Sequence, residues 1–156
     1  MKKKGFGMVE AVISVAIATA LILVLSGVNL TYVRLAYGQS NKIEATFLAE
    51  ESLEAVRFLR DENWTLNILP LVVGTNYYPV FNANAWQLGS TPTTFGIFDR
   101  KIVLGAVYRG VNGDIVSSGG TLDPNTYLVT SSVSWQEKGT TRTEIIATYI
   151  TKLFDN

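Results

Sequence analysis

The stretch MKKKGFGMVEAVISVAIATALILVLSGVNLTYVR, residues 1–34, decides how the rest of the chain is read. Three lysines, Lys2, Lys3 and Lys4, open it, and from Ala11 to Val33 no residue carries a charge. Wound as a helix at about 1.5 Å per residue, that run covers roughly 35 Å, enough to cross a hydrocarbon layer of about 30 Å. Lysines before the run and Arg34 after it orient a span with its short N-terminus in the cytoplasm and everything beyond Arg34 outside. The lipid bilayer is therefore an expected partner. Glu10 is out of place in such a segment, because a carboxylate set deep in an apolar span costs on the order of 2–3 kcal/mol.

Outside this segment the composition is that of an ordinary globular body. The chain has 156 residues, room for one domain with an appendage. Lysine and arginine total 13, as do aspartate and glutamate, and only Lys2 to Lys4 cluster, so no nucleic-acid partner is expected. Cysteine and histidine are both absent. That excludes disulfide frameworks, thiolate or imidazole metal sites, and Cys-His or Ser-His-Asp catalysis. No carboxylate pair stands out for acid-base work, so the chain is expected not to be an enzyme.

The junction from Lys2 to Glu10 resembles the type IV pilin and pseudopilin family. In that family a short basic leader ends in glycine and is followed by an aromatic residue, three further residues and a glutamate; here these are Lys2-Lys3-Lys4-Gly5, Phe6, Gly7-Met8-Val9 and Glu10. The resemblance implies cleavage by a prepilin peptidase between Gly5 and Phe6 and methylation of the Phe6 amine. It implies a register role for Glu10, pairing with the freed amine of a neighbouring pilin subunit. It further implies an inner-membrane assembly platform and a cytoplasmic motor as partners. Physical chemistry agrees with the pairing, since an opposite charge within a few ångströms offsets the desolvation of both groups and forms only when subunits are staggered correctly. An ordinary secretory signal with a small-residue site at Ala18-Thr19-Ala20 is the rival reading. It would leave Leu21 to Leu25 exposed at the new terminus, and Glu10 would interrupt its short apolar region.

Past the span, Ala45, Leu48, Ser52, Val56 and Leu59, flanked by Ala49, Leu53 and Ala55, recur at spacings of three and four, which is one face of a helix. Glu44, Glu50, Glu51, Glu54, Arg57 and Arg60 occupy the other side. One helix from about Val9 to Arg60 follows, a spine that matches the architecture implied by the resemblance. Gly27 sits where many family members have a helix-breaking proline, so the resemblance makes it a candidate for local melting. Tolerance in a lipid-facing helix and close helix packing remain alternative uses. The segment Ala49 to Arg57 with Arg60 to Trp64 is similar to minor pilins of the pilus-modification type.

Residues 61–98 carry loop-forming residues among large hydrophobes, most of which are expected to dock on the core. Strands are expected at 101–109, 127–135 and 143–153, the last two joined through Gln136-Glu137-Lys138-Gly139-Thr140. In the second, Tyr127, Val129, Val133 and Trp135 share a face and Thr130, Ser132 and Ser134 take the other. Asp114 and Asp123, in the loop 110–125, lack a calcium-loop spacing and read as turn formers, so neither metal nor cofactor is expected.

The expected fold is thus α+β, a long N-terminal helical spine on an antiparallel meander of at least three strands. Its parts are a leader at 1–5, a transmembrane or assembly helix at 6–33, an amphipathic helix at 34–60, and loops and sheet at 61–156. The expected function is a structural subunit of a type IV pilus or secretion-type filament, inserted in the cytoplasmic membrane with the body outside. A monomeric, membrane-anchored extracytoplasmic binding module is the alternative.

Overall fold

The computed structural model describes residues 7–153. One helix, α1 (Met8–Glu62), runs through 55 residues without a break, and two compact units divide at Asn41 and Lys42. Beyond Gly7 the described residues of the first unit are all helical, and every one up to Tyr37 is exposed.

The second unit is a layer of helix on a seven-stranded antiparallel sheet. After α1 come a single turn of helix, α2 (Trp64–Asn67), and the strands β1 (Asn76–Asn82), β2 (Ala85–Gly89), β3 (Thr94–Phe95), β4 (Phe98–Arg109), β5 (Ile115–Val116), β6 (Thr121–Glu137) and β7 (Thr140–Thr151). The main order across the sheet is β2-β1-β4-β6-β7, with β3 and β5 also paired to β4. The α+β class and the helical spine expected from the sequence are present.

The face expected to be apolar is the one that packs. Ala45, Leu48, Ala49, Ser52, Leu53, Ala55, Val56 and Leu59 are all buried. Alanine and serine let the backbone of α1 approach the sheet, and Ser52 satisfies its hydroxyl locally by donating to the Leu48 carbonyl at 2.7 Å. Leu53, Val56 and Leu59 meet Ile102, Leu104, Val129 and Ile150, while Ala45, Leu48 and Ala49 meet Phe98, Val133 and Trp135. On β6, Val129, Val133 and Trp135 point inward as expected, and Ser131 joins them. Its Oγ and the Trp135 indole Nε1 are buried without a hydrogen-bond partner among the described residues.

Residues 61–98, expected as a connecting region, hold β1, β2 and β3. Asn63 caps α2 by accepting from the Leu66 amide at 2.9 Å, and Asn67 Nδ2 donates to the Leu59 carbonyl at 3.1 Å near the end of α1. Trp64 is buried and stacks on Tyr127, ring centroids 5.8 Å apart. Trp86 packs on the core, whereas Phe81 and Phe95 remain more than half exposed.

Two-residue turns close the β1–β2 and β6–β7 hairpins. Lys138 and Gly139, at φ of 51° and 76°, join β6 to β7, and Ala83 and Asn84, at 49° and 62°, join β1 to β2. Positive φ at both central positions matches the right-handed twist of the flanking strands. β6 starts six residues before the expected Tyr127, because a bulge lets Pro124, Asn125 and Thr126 fall outside the ladder with β4 between Asp123 and Tyr127, while Thr126 still pairs with Thr151 of β7.

Candidate assembly segment

Glu10 lies in the first turn of α1. Gly7 precedes the helix, and its carbonyl accepts the first helical bond, from Ala11 N, at 3.2 Å. Counting from Gly7 as the cap, Glu10 is the third helical residue, the position from which an acidic side chain reaches back to the cap amide. It does so here, with Gly7 N donating to Glu10 Oε2 at 3.0 Å. The carboxylate thus satisfies an orphan donor of the helix start and places negative charge at the positive end of the helix dipole. Sequence reasoning identified Glu10 but missed Gly7 as its partner; an acidic residue three positions after the start of an apolar helix was the available signal.

The remaining candidates at this end, Lys2, Lys3, Lys4, Gly5 and Phe6, lie outside the described residues.

Beyond Glu10 the helix is apolar on every side. An 18-residue window reaches a mean hydropathy of 2.6 with none of it buried, so α1 is long and apolar enough to cross a membrane. Leu21, Ile22, Leu23, Val24 and Leu25 are each exposed by more than half, although they cover the whole circumference of the helix. Its hydroxyls are satisfied within the helix, Ser14 donating to the Glu10 carbonyl at 2.7 Å, Thr19 to Val15 at 2.8 Å and Thr31 to Gly27 at 3.0 Å. This suits a medium without water, in which each polar group needs a partner inside the protein. Tyr32 and Tyr37 flank Arg34 at the polar end, the amphipathic residues that settle at a membrane interface.

Gly27 stands in unbroken helix, and a Cβ built there meets nothing within 4 Å. The described part of the chain therefore gives no packing reason for glycine at this position. Its missing side chain leaves a shallow notch between Val24, Val28 and Thr31.

In the second unit several charged groups pair with one another. Arg57 pairs with Glu54, and Arg100 donates to Glu51 at 2.6 Å while its guanidinium lies 5.9 Å from the ring centres of both Trp86 and Phe95. Arg109 Nε donates to Asp123 at 2.6 Å, and the Asn125 amide donates to the same carboxylate at 2.9 Å. The Arg109 guanidinium, followed by Thr126 and the Asn125 amide, holds the Asp123 carboxyl below its ordinary range. This geometry gives Asp123 a structural role in fixing the bulge of β6.

Searches against protein-family profiles, curated proteins and solved structures find no match to this chain.

Proposed function

We propose that the chain is a structural subunit of a type IV pilus-like filament, of the minor pilin or pseudopilin kind. It inserts in the cytoplasmic membrane with its sheet unit outside, loses residues 1–5 to a prepilin peptidase, and assembles through the helix that begins at Phe6. The observation that carries this reading is Glu10. It stands at the head of a helix whose apolar surface has no cover among the described residues, and its partner among them is a neutral amide, at Gly7.

A single amide bond leaves most of the acceptor capacity of a carboxylate unused, and it supplies no opposite charge. A freed amine at Phe6 of a neighbouring subunit would supply both. The pair forms only at one stagger between helices, so the same group that is costly in lipid sets register in the assembly. The apolar circumference from 11 to 33 serves lipid before assembly and other subunits after it. The chain itself is left no catalytic task, and the work of extension falls to an assembly platform and a cytoplasmic motor.

Intact-mass and N-terminal analysis of the full chain produced beside a prepilin peptidase tests the reading. The expected product starts at Phe6 with a methylated amine. A chain that keeps Met1 to Gly5 under those conditions removes the filament reading and leaves the anchored binding module.

A further inference from the structure

Five phenylalanines lie among the described residues, and only one of them is in the core. Phe98 is 2% exposed, whereas Phe47, Phe58, Phe81 and Phe95 are exposed by 65%, 51%, 57% and 54%. These four gather about a single ion pair of the second unit. Arg100 on β4 donates to Glu51 of α1 at 2.6 Å, and its guanidinium lies 5.9 Å from the ring centres of both Phe95 and Trp86. Trp86 is itself packed on the core, and Phe81 meets it edge-on with ring centroids 5.3 Å apart. On α1, Phe47 stands four residues before Glu51 and Phe58 seven after it, which sets the three on one side of the helix.

A phenylalanine side chain offers about 200 Å² of surface, so these exposures leave roughly 450 Å² of ring open to water. Apolar residues scattered singly on a surface need no explanation, but a patch of this size marks an interaction site. It supplies over half of the roughly 800 Å² that each partner contributes to a standard interface. Its make-up agrees. Aromatic rings about an arginine form the centre, and Glu44 and Glu54, three and four residues before Phe47 and Phe58, stand at the rim.

We propose that this aromatic patch is the contact between two copies of the chain, related by a two-fold axis that passes beside the Glu51–Arg100 pair. Charge decides for a second copy. The centre of the patch holds one carboxylate and one guanidinium already joined, so an occupant that brought a lone charge would bury it without a partner. A second copy brings rings and a neutral pair. The side chain of Glu51 is 46% exposed and keeps acceptor capacity free, while that of Arg100, 10% exposed, keeps only its outer edge open. Across a two-fold axis the same surface meets itself, so Glu51 of each copy comes against that edge of Arg100 in the other, and both carboxylates gain a second cation. The rings on α1 are then covered by the rings on the strands. Such a contact closes at two copies, so it goes beyond the filament reading and holds for an anchored chain as well.

Two differently tagged full-length chains, co-expressed and extracted from membranes in mild detergent, test the proposal. Capture through one tag should recover the other, and sedimentation should give the mass of two chains. Phe47→Ala with Phe95→Ala removes exposed rings and should lower recovery about tenfold or more with the thermal transition kept. Glu51→Arg paired with itself, and Arg100→Glu paired with itself, set like charges across the axis and should each lower recovery about tenfold or more. Glu51→Arg paired with Arg100→Glu restores opposite charges at both crossings and should return recovery to near the wild-type level. Should Arg100→Glu fail to fold, as its thermal transition would show, the alanine pair still decides. Four results overturn the proposal: no recovery from wild-type chains, recovery indifferent to the alanine pair, a folded mixed pair as weak as the like-charged ones, or capture of a different protein through the patch in place of the second copy.

Discussion

The two halves of α1 are one helix with two opposite economies of surface. From Lys42 to Glu62 one face of apolar side chains, Ala45, Leu48, Ala49, Leu53, Val56 and Leu59, is buried against Phe98, Ile102, Val133 and Trp135, while Ile43, Phe47 and Phe58 stay exposed. From Met8 to Asn41 the apolar side chains lie all round and none is buried. The first half of the helix is therefore explained by what lies outside the chain, the second by what lies inside it. Substitutions of the same chemical kind should then have unrelated consequences in the two halves.

The largest contrast is expected from charge. Val56→Asp puts a carboxylate at a fully buried position without a partner and should unfold the sheet unit, a loss of about 4 kcal/mol or more, seen as loss of the cooperative thermal transition of the detergent-solubilised chain. Leu21→Asp should leave that transition unchanged and weaken membrane insertion by about 2–3 kcal/mol, measured by alkaline extraction. An unaltered transition in Val56→Asp would overthrow the division between the halves. Next comes volume. Phe98→Ala empties a buried ring that meets Trp135 edge-on and should cost about 3–5 kcal/mol in chemical denaturation.

Glu10→Val is expected to act only on the first half. Insertion and the thermal transition should stay as they are, while incorporation into filaments falls at least tenfold in a sheared-filament assay; full incorporation would remove Glu10 from the assembly mechanism.

Acid sensitivity belongs to the second half. The Asp123 carboxyl is held below its ordinary range in the folded state, so its contribution is complete above the unfolded-state value and is lost as pH falls through the folded one. Arg109→Met should accordingly lower the melting temperature at neutral pH and shrink its further drop on acidification. An undiminished acid drop would show that the pair contributes nothing. The smallest pair compares glycines: Gly139→Ala, at φ 76°, should cost about 1 kcal/mol, whereas Gly27→Ala meets open space and should leave the sheet unit as it was.

What was readable in the sequence follows the same division. The helix was legible along its length because its signals are local, namely uncharged residues in one half and a period of three and four in the other. Glu10 stood out for the same reason, as a charge where the surroundings forbid one. β1 and β2 were not legible, since their turn is Ala83-Asn84 without a glycine, and β1 finds its place by pairing Asn76 and Tyr77 with Val103 and Ile102, far along the chain. The start of β6 was hidden by Pro124, which reads as a breaker unless the bulge is known. Ser131, a polar residue on the buried face, interrupts the very alternation that identifies the strand.

The Lys138-Gly139 turn has a consequence in time. Its flanking residues pair at a separation of three, and the rungs of β6 and β7 close outward from there, whereas α1 must find Phe98 and Val133 across 40 residues or more of chain. Pairing of near neighbours loses less loop entropy, so the hairpin is expected to form early and the helix to dock late. Stopped-flow kinetics should then show Gly139→Ala slowing refolding and Val56→Ala chiefly hastening unfolding, with the turn acting as the nucleus on which the spine later settles.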